Sequence, residues 1–205
     1  LWSAYDADSE GEEGKYYVFN YNELKDIKDI ELYFDVKPDG NWENKIILKE
    51  IKTPPKSVLI KLKDLRKKKK KPFFDNKIQL DLNCLWISAL ISAEKVLPKN
   101  GYLQIAETFY SSLEKIFFRE ENLYHTNSKT TVFLEDYAYT ISMLLDLSDQ
   151  TLKPSYLFKA KELCQKTIEL FYVKEKSIFQ KNIIFNNDLF HKPIDISDNN
   201  IPNGN

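Results

Sequence analysis

The sequence predicts a mainly α fold: part of an α/α toroid, with helical hairpins in an outer and an inner ring and short β-hairpins in the loops. Three observations predict it. Amphipathic helices alternate with helices that are apolar on most faces, and a helix greasy nearly all round is a buried one. Links from a buried helix to an amphipathic one are short, at 98–101 and 148–153, whereas links in the other direction, at 71–79 and 119–133, are longer. The stretch after residue 173 is longer still and holds strand-like runs at 178–185 and 188–191. Periodicity alone equally allows an ordinary helical bundle.

The elements follow in order. Residues 16–19 read as a short strand, and Asn20 can cap a short helix opened by Asn20-Tyr21-Asn22-Glu23. Residues 38–48 read as a turn followed by a short strand. Thr53 can cap and Pro54 can take the first helical position of a helix striped by Val58, Leu62 and Leu65, reaching about residue 70. Leu80–Leu97 is a buried helix, carrying Leu82, Leu85, Trp86, Ile87, Leu90 and Val96. Tyr102–Phe118 is amphipathic through Tyr102, Ala106, Phe109, Leu113 and Ile116. Leu134–Leu147 is again apolar on most faces. Ser155–Tyr172 is again amphipathic, through Tyr156, Ala160, Leu163 and Leu170. The whole chain, 1–205, is expected to be part of one toroid domain. Residues 1–52 supply an acidic loop, short strands and a short helix; 53–173 supply the alternating helices; 174–205 form a strand-containing loop leading to the next inner helix.

Composition excludes several classes of function. A net charge of −1 argues against general nucleic-acid affinity. No apolar stretch approaches the ~20 residues that cross a bilayer, so no membrane partner is expected. No signal peptide opens the chain, and a cytoplasmic location is expected. The first residue is Leu and the chain begins almost inside a motif, which reads as a fragment. The two cysteines, Cys84 and Cys164, lie on apolar helical patterns without a C-x-x-C, and read as buried reduced thiols. Neither His125 nor His191 has ligand spacing around it, so no metal is expected. Nucleophile elbow, P-loop and dinucleotide fingerprint are all missing, and no cofactor is expected.

The densest feature is the acidic run, where Asp6, Asp8, Glu10, Glu12 and Glu13 fall within eight residues beside Gly11 and Gly14. A solvated turn tolerates such density, and so does a site that meets a cation or a polyhydroxylated ligand. Asp6, Asp8, Glu10 and Gly11 match the first positions of an EF-hand loop, but its closing Glu is Tyr17 here, so an EF-hand is not expected. Arg66–Lys71 is an uninterrupted basic run. It closes a helix, where cations complement the C-terminal dipole, and Pro72 stops it. The long-loop pole carries Asp75, Lys77, Asp81, Asn83, His125, Glu135, Asp136 and Tyr137. Glu135 and Asp136 open a buried helix whose dipole favours their ionised forms. Capping is one reading of them. The other is a carboxylate aimed into the toroid mouth, as general acid or base or as an acceptor for sugar hydroxyls. Trp42, Phe73, Phe74 and Tyr137 could stack on sugar faces.

Several segments, in order, resemble one family. The acidic run Ser3-Ala4-Tyr5-Asp6-Ala7-Asp8-Ser9-Glu10-Gly11-Glu12-Glu13-Gly14, then Gly40-Asn41-Trp42-Glu43, then Asp75-Asn76-Lys77-Ile78, then Phe133-Leu134-Glu135-Asp136-Tyr137-Ala138 and the closing Pro202-Asn203-Gly204-Asn205 are similar to the thioredoxin domain-containing proteins related to spermatogenesis-associated protein 20 and bacterial YyaL. The resemblance implies an N-terminal thioredoxin-like domain in cis, absent from this chain. It also implies a six-hairpin toroid like those of N-acylglucosamine 2-epimerases and certain glycosidases, of which this chain is a middle part. By analogy of fold it implies a carbohydrate-active site, epimerase- or glycosidase-like, for a small polar or sugar-like ligand. Asp6, Asp8, Glu10, Glu135 and Asp136 are then the candidate catalytic groups, and Trp42, Asp75, Lys77, Asn83 and Tyr137 the candidate ligand-binding groups. Asn83 keeps the family's Asn, but its Ser, Trp and Gly positions are Asp81, Leu82 and Cys84. That departure sustains an alternative: a non-catalytic scaffold, or a diverged pseudoenzyme, partnering a thioredoxin-like redox or folding domain.

Overall fold

The computed structural model describes residues 1–119, 122–183, 194, 196–198 and 200–205. The fold is mainly helical with short β-hairpins, and it divides into two compact units, 4–76 and 1–3 with 77–205. The division falls at residue 76, past the helix expected to begin near residue 53. The predicted helix that begins there belongs with the N-terminal elements.

The unit 4–76 holds β1 (Ala4–Tyr5), β2 (Asp8–Ser9), β3 (Glu12–Glu13), α1 (Tyr21–Leu24), α2 (Ile30–Tyr33), α3 (Lys56–Lys67) and β4 (Phe74–Asp75). Antiparallel pairing of β1 with β4, Ala4 opposite Asp75, ties the two ends of the unit together. The acidic run folds as a hairpin of β2 on β3, turning through Glu10 (φ 56°) and Gly11 (φ 77°). Two successive positive φ values are the geometry of a type I′ turn, which Gly favours because it has no Cβ. Phe19, Leu24, Ile30, Phe34, Ile46, Val58 and Leu62 make this unit's core. The strand expected at 16–19 reduces to one bridge, Phe19 to Ile46, because residues 14–17 turn instead. α3 starts at Lys56 behind Pro55, two residues later than the expected Thr53-Pro54 start. α1 opens where Asn20 predicted, and Glu23 accepts a hydrogen bond from the Asn20 N–H at 2.7 Å.

The helical unit holds α4 (Leu80–Val96), α5 (Tyr102–Phe117), β5 (Phe118–Arg119), β6 (Asn122–Leu123), α6 (Leu134–Thr151), α7 (Pro154–Phe171), β7 (Tyr172–Val173) and β8 (Ile178–Phe179). α4 packs against α5 and α6, and α6 against α7, so the two greasy helices sit side by side with an amphipathic partner each. Their contact buries Cys84, Ile87 and Ile91 of α4 and Thr140, Met143, Leu144 and Leu147 of α6. α5 turns Ala106, Tyr110, Leu113 and Phe117 inward, and α7 turns Ala160, Leu163, Thr167 and Phe171 inward. Glu107 of α5 joins α7 by accepting from Tyr156 at 2.9 Å and Lys153 at 2.5 Å, and the lysine holds its carboxyl below the usual range.

The unit repeats itself. Each amphipathic helix runs directly into a two-stranded antiparallel hairpin, β5–β6 after Phe117 and β7–β8 after Phe171. Beyond each hairpin a loop carbonyl returns to the first amide of a greasy helix. Leu80 N–H donates to His125 O at 2.9 Å, and Leu134 N–H donates to Lys181 O at 3.0 Å. Those amides are orphan donors of a helix N-terminus, and the returning loops satisfy them. Of the strand-like runs expected after residue 173, Ile178–Phe179 forms β8 and the run at 188–191 lies outside the described residues. Among the described residues no helix is long and apolar enough to cross a membrane.

Candidate functional site

The returning loop places His125 over the N-terminal ends of α4 and α6. Gln79 bridges to Thr126 just before α4, and the His125 carbonyl receives the Leu80 amide. Asp136, in the first turn of α6, is 0% exposed. Its carboxylate accepts the Phe133 N–H at 2.8 Å, half of a capping box. The same carboxylate accepts from His125 Nδ1, 2.9 Å from Oδ1 and 3.1 Å from Oδ2. Phe133 meets the imidazole edge-on at 5.0 Å. The ring is thus held on one edge and one face.

The far nitrogen of His125 is also addressed. Gln79 Nε2 lies 3.5 Å from His125 Nε2, and Ser3 donates its hydroxyl to Gln79 Oε1 at 3.1 Å. The same hydroxyl also lies 3.0 Å from Lys77 O. The Asp136 carboxylate can only accept, so Nδ1 directs its proton at Asp136, and in the neutral ring Nε2 keeps a lone pair that the Gln79 NH₂ can meet. This is the tautomer a general base needs, with a lone pair on the outer nitrogen and a carboxylate behind the inner one.

The charges around the ring are mostly negative. The hydrogen bond to Asp136 raises the His125 pKa against the opposing effect of burial, and Asp81 and Glu135 add to the rise. Burial pushes the Asp81 carboxyl up, opposed by the Leu82 N–H it accepts at 2.8 Å. Glu135 Oε1 is 3.9 Å from Lys181 Nζ, and Glu135 Oε2 is buried with no hydrogen-bond partner among the described residues. Gln79, Asp81, His125, Glu135, Lys181 and Asn203 line a cleft of about 290 Å³. That volume sits at the small end of ligand pockets, whose usual range begins near ~300 Å³. The repeat places equivalent groups at the two helix starts. Asp81 follows Leu80 as Glu135 follows Leu134, and His125 stands to one as Lys181 stands to the other.

The predicted site residues divide between the two units. Glu135 lines the cleft, and Asp136 reaches it only through His125, which it holds from behind. Asp6, Asp8, Glu10, Trp42 and Asp75 belong to the unit 4–76, and Lys77, Asn83 and Tyr137 to the helical unit. The acidic run has a structural account. Asp6 accepts the Asp8 amide at 3.1 Å, Lys15 pairs with Glu10 at 3.1 Å, and Lys45 pairs with Glu12. The basic run is also accounted for: Ser9 donates to Lys70 O, and Lys69 sits 4.4 Å over the Phe19 ring while pairing with Glu23 at 3.2 Å. Trp42 is 41% exposed in a tight turn bridged to Lys45. Tyr137 is not at the mouth: it is 1% exposed, packed 5.6 Å from Phe171, and burial raises its pKa. Asn83 is buried too, its amide donating to Leu1 O at 3.1 Å and Gln79 O at 2.7 Å, so it fastens the chain rather than facing the cleft. Cys84 is buried as expected, its thiol pushed up to about 12, whereas Cys164 is exposed, contrary to expectation.

Sequence reasoning placed His125 and Asp81 at the right pole but gave them no role, and passed over Gln79, Ser3 and Lys181. His125 was set aside because no ligand spacing surrounds it, yet its partners come from two helix starts remote in the chain. The readable signal was the shared start of the greasy helices, an apolar residue followed by an acid. His191 lies outside the described residues. No family model and no curated protein matches the chain.

Proposed function

We propose that the helical unit is part of an α/α toroid of the YyaL-like, thioredoxin domain-containing kind, and that its pole carries an acid–base site for a small polyhydroxylated ligand. The observation that carries the reading is the hydrogen bond of buried Asp136 to partly buried His125, which lines an acidic cleft. The internal repeat supports the toroid, because a loop that caps the preceding greasy helix is a device that can continue around a ring. Leu82 and Val96 of α4 and Leu145 of α6 keep apolar side chains exposed, where a further inner helix would cover them. Asp136 holds the imidazole tautomer, and His125 Nε2 takes a proton from a ligand hydroxyl or carbon acid in place of the long Gln79 contact. Asp81 and Glu135 accept ligand hydroxyls. Asp81 is one of the departures from the family pattern, and it adds a carboxylate to the cleft rather than removing one.

A panel of monosaccharides, amino sugars and sugar phosphates, scanned by saturation-transfer NMR on chelator-treated protein, tests the reading. At least one class should bind saturably, and turnover of that ligand should fall ~10²–10⁴-fold in His125→Gln, the usual contribution of a general base. A panel with no saturable binder, or equal turnover in the variant, removes the proposal and favours a non-catalytic scaffold.

A further inference from the structure

We propose that Asp81, His125 and Asp136 form a site for one divalent metal ion of the manganese–zinc range, a proposal that rests on reading this pole as the ligand site. Their ligand atoms lie within 4.8 Å of one another. The tightest pair, His125 Nδ1 and Asp136 Oδ1, is 2.9 Å apart. Two donors ~2.1 Å from an ion and at right angles lie about 3 Å apart, so this pair already has the spacing of neighbouring ligands. One imidazole with two carboxylates suits first-row divalent ions better than soft ones.

The surrounding charge favours a cation. Asp81 and Glu135 line the cleft and Asp136 lies buried behind His125, three carboxylates against His125 and Lys181. The starts of α4 and α6 supply only about half a positive charge each. Glu135 Oε2, buried and unpartnered among the described residues, can accept from a water on the ion, which would supply the hydrogen bond it lacks there.

The ion and the acid–base pair use the same atoms in different states. In one, the Nδ1 proton lies between His125 and Asp136 while Gln79 donates to Nε2. In the other, the ion replaces that proton, Nε2 carries the hydrogen, and Gln79 turns its amide oxygen to accept it. Ser3 serves both states, because a hydroxyl donates to Oε1 or accepts from the NH₂. Metal-bound histidines commonly hand their second N–H to such an acceptor.

Mn²⁺ is the probe. The chelator-stripped 205-residue chain is titrated with Mn²⁺, and the free ion is followed by electron paramagnetic resonance. One saturable site per chain is expected, with imidazole-nitrogen modulation in the echo-detected spectrum of the wild type. Asp81→Asn and His125→Gln should each weaken binding by more than about tenfold, the loss that removing even an outer partner of a ligand causes. His125→Gln should also lose the nitrogen signal, with circular dichroism reporting that both variants are folded. Absence of a saturable site, absence of nitrogen modulation, or unchanged affinity in both variants overturns the proposal. Polar-ligand binding by the stripped wild type reads the acid–base proposal independently. Its failure with Mn²⁺ binding intact removes that proposal and keeps the metal site, and the converse result does the reverse.

Discussion

Replacing Asp136 by Asn keeps the shape of the dyad and removes its charge. The amide oxygen still accepts the Phe133 N–H, so the start of α6 keeps its cap. The NH₂ then faces His125 Nδ1, where two donors would meet, and the ring must move its proton to Nε2. The partly buried bond at 2.9 Å joins a carboxylate to an imidazole, and hydrogen bonds to charged groups contribute ~1.5–3 kcal/mol each. A loss of ~2 kcal/mol lowers the melting temperature by roughly 4–8 °C in a chain of this length. Because the Asp136 bond is the largest cause of the raised His125 pKa, the ring should titrate lower in the variant. Imidazole NMR of chelator-treated protein follows the pKa, and calorimetry follows the melting temperature. An unchanged His125 titration with an unchanged melting temperature would refute the dyad, and with it the acid–base proposal.

His125 makes stability depend on pH in a definite direction. Its pKa is raised in the folded chain, so folding binds its proton; the stabilisation is complete below the ordinary value of about 6.5 and is lost as pH rises through the folded value. The melting temperature should therefore fall across that window in the wild type and stay flatter in His125→Gln. Asp81 behaves oppositely to Asp136 on substitution. Burial penalises its charge, so Asp81→Asn should raise the melting temperature at neutral pH while weakening Mn²⁺ binding. Two glycines separate strain from crowding. Gly11→Ala adds a Cβ at φ 77° with nothing within 4 Å, and should cost ~1–2 kcal/mol. Gly40→Ala adds one at φ 76° that would meet the Lys45 carbonyl oxygen at 2.5 Å, and should cost clearly more by urea unfolding; equal costs would show that the loop yields freely.

Much of the helical unit was legible because its signals are local. Leu80–Val96 and Tyr102–Phe117 start where their apolar patterns start, and the link expected at 98–101 is short as predicted, whereas the one expected at 148–153 shrinks to 152–153. α6 runs four residues past the expected Leu147, because Ser148–Thr151 continues the helix after the apolar pattern fades. The two-residue strands were mostly missed. β1 and β4 pair across nearly the whole N-terminal unit, and no pattern of two residues announces such a partner. Glu135 and Asp136 were found through a motif, Tyr137 was misplaced with them, and the turn of the α6 helix separates their fates. Glu135 meets the cleft and Asp136 meets His125, while Tyr137 turns toward Phe171.

The sequence by itself determined the helices and their alternation between greasy and amphipathic. Those properties follow from spacing along one segment, and 3.6-residue periodicity is visible without a partner. Only the tertiary structure decided which polar groups touch. The His125–Asp136 bond, the approach of Asp81 and the contact of Ser3 with Gln79 join segments far apart in the chain. Hydrogen bonds of that kind depend on a few tenths of an ångström between elements, which residue spacing does not encode.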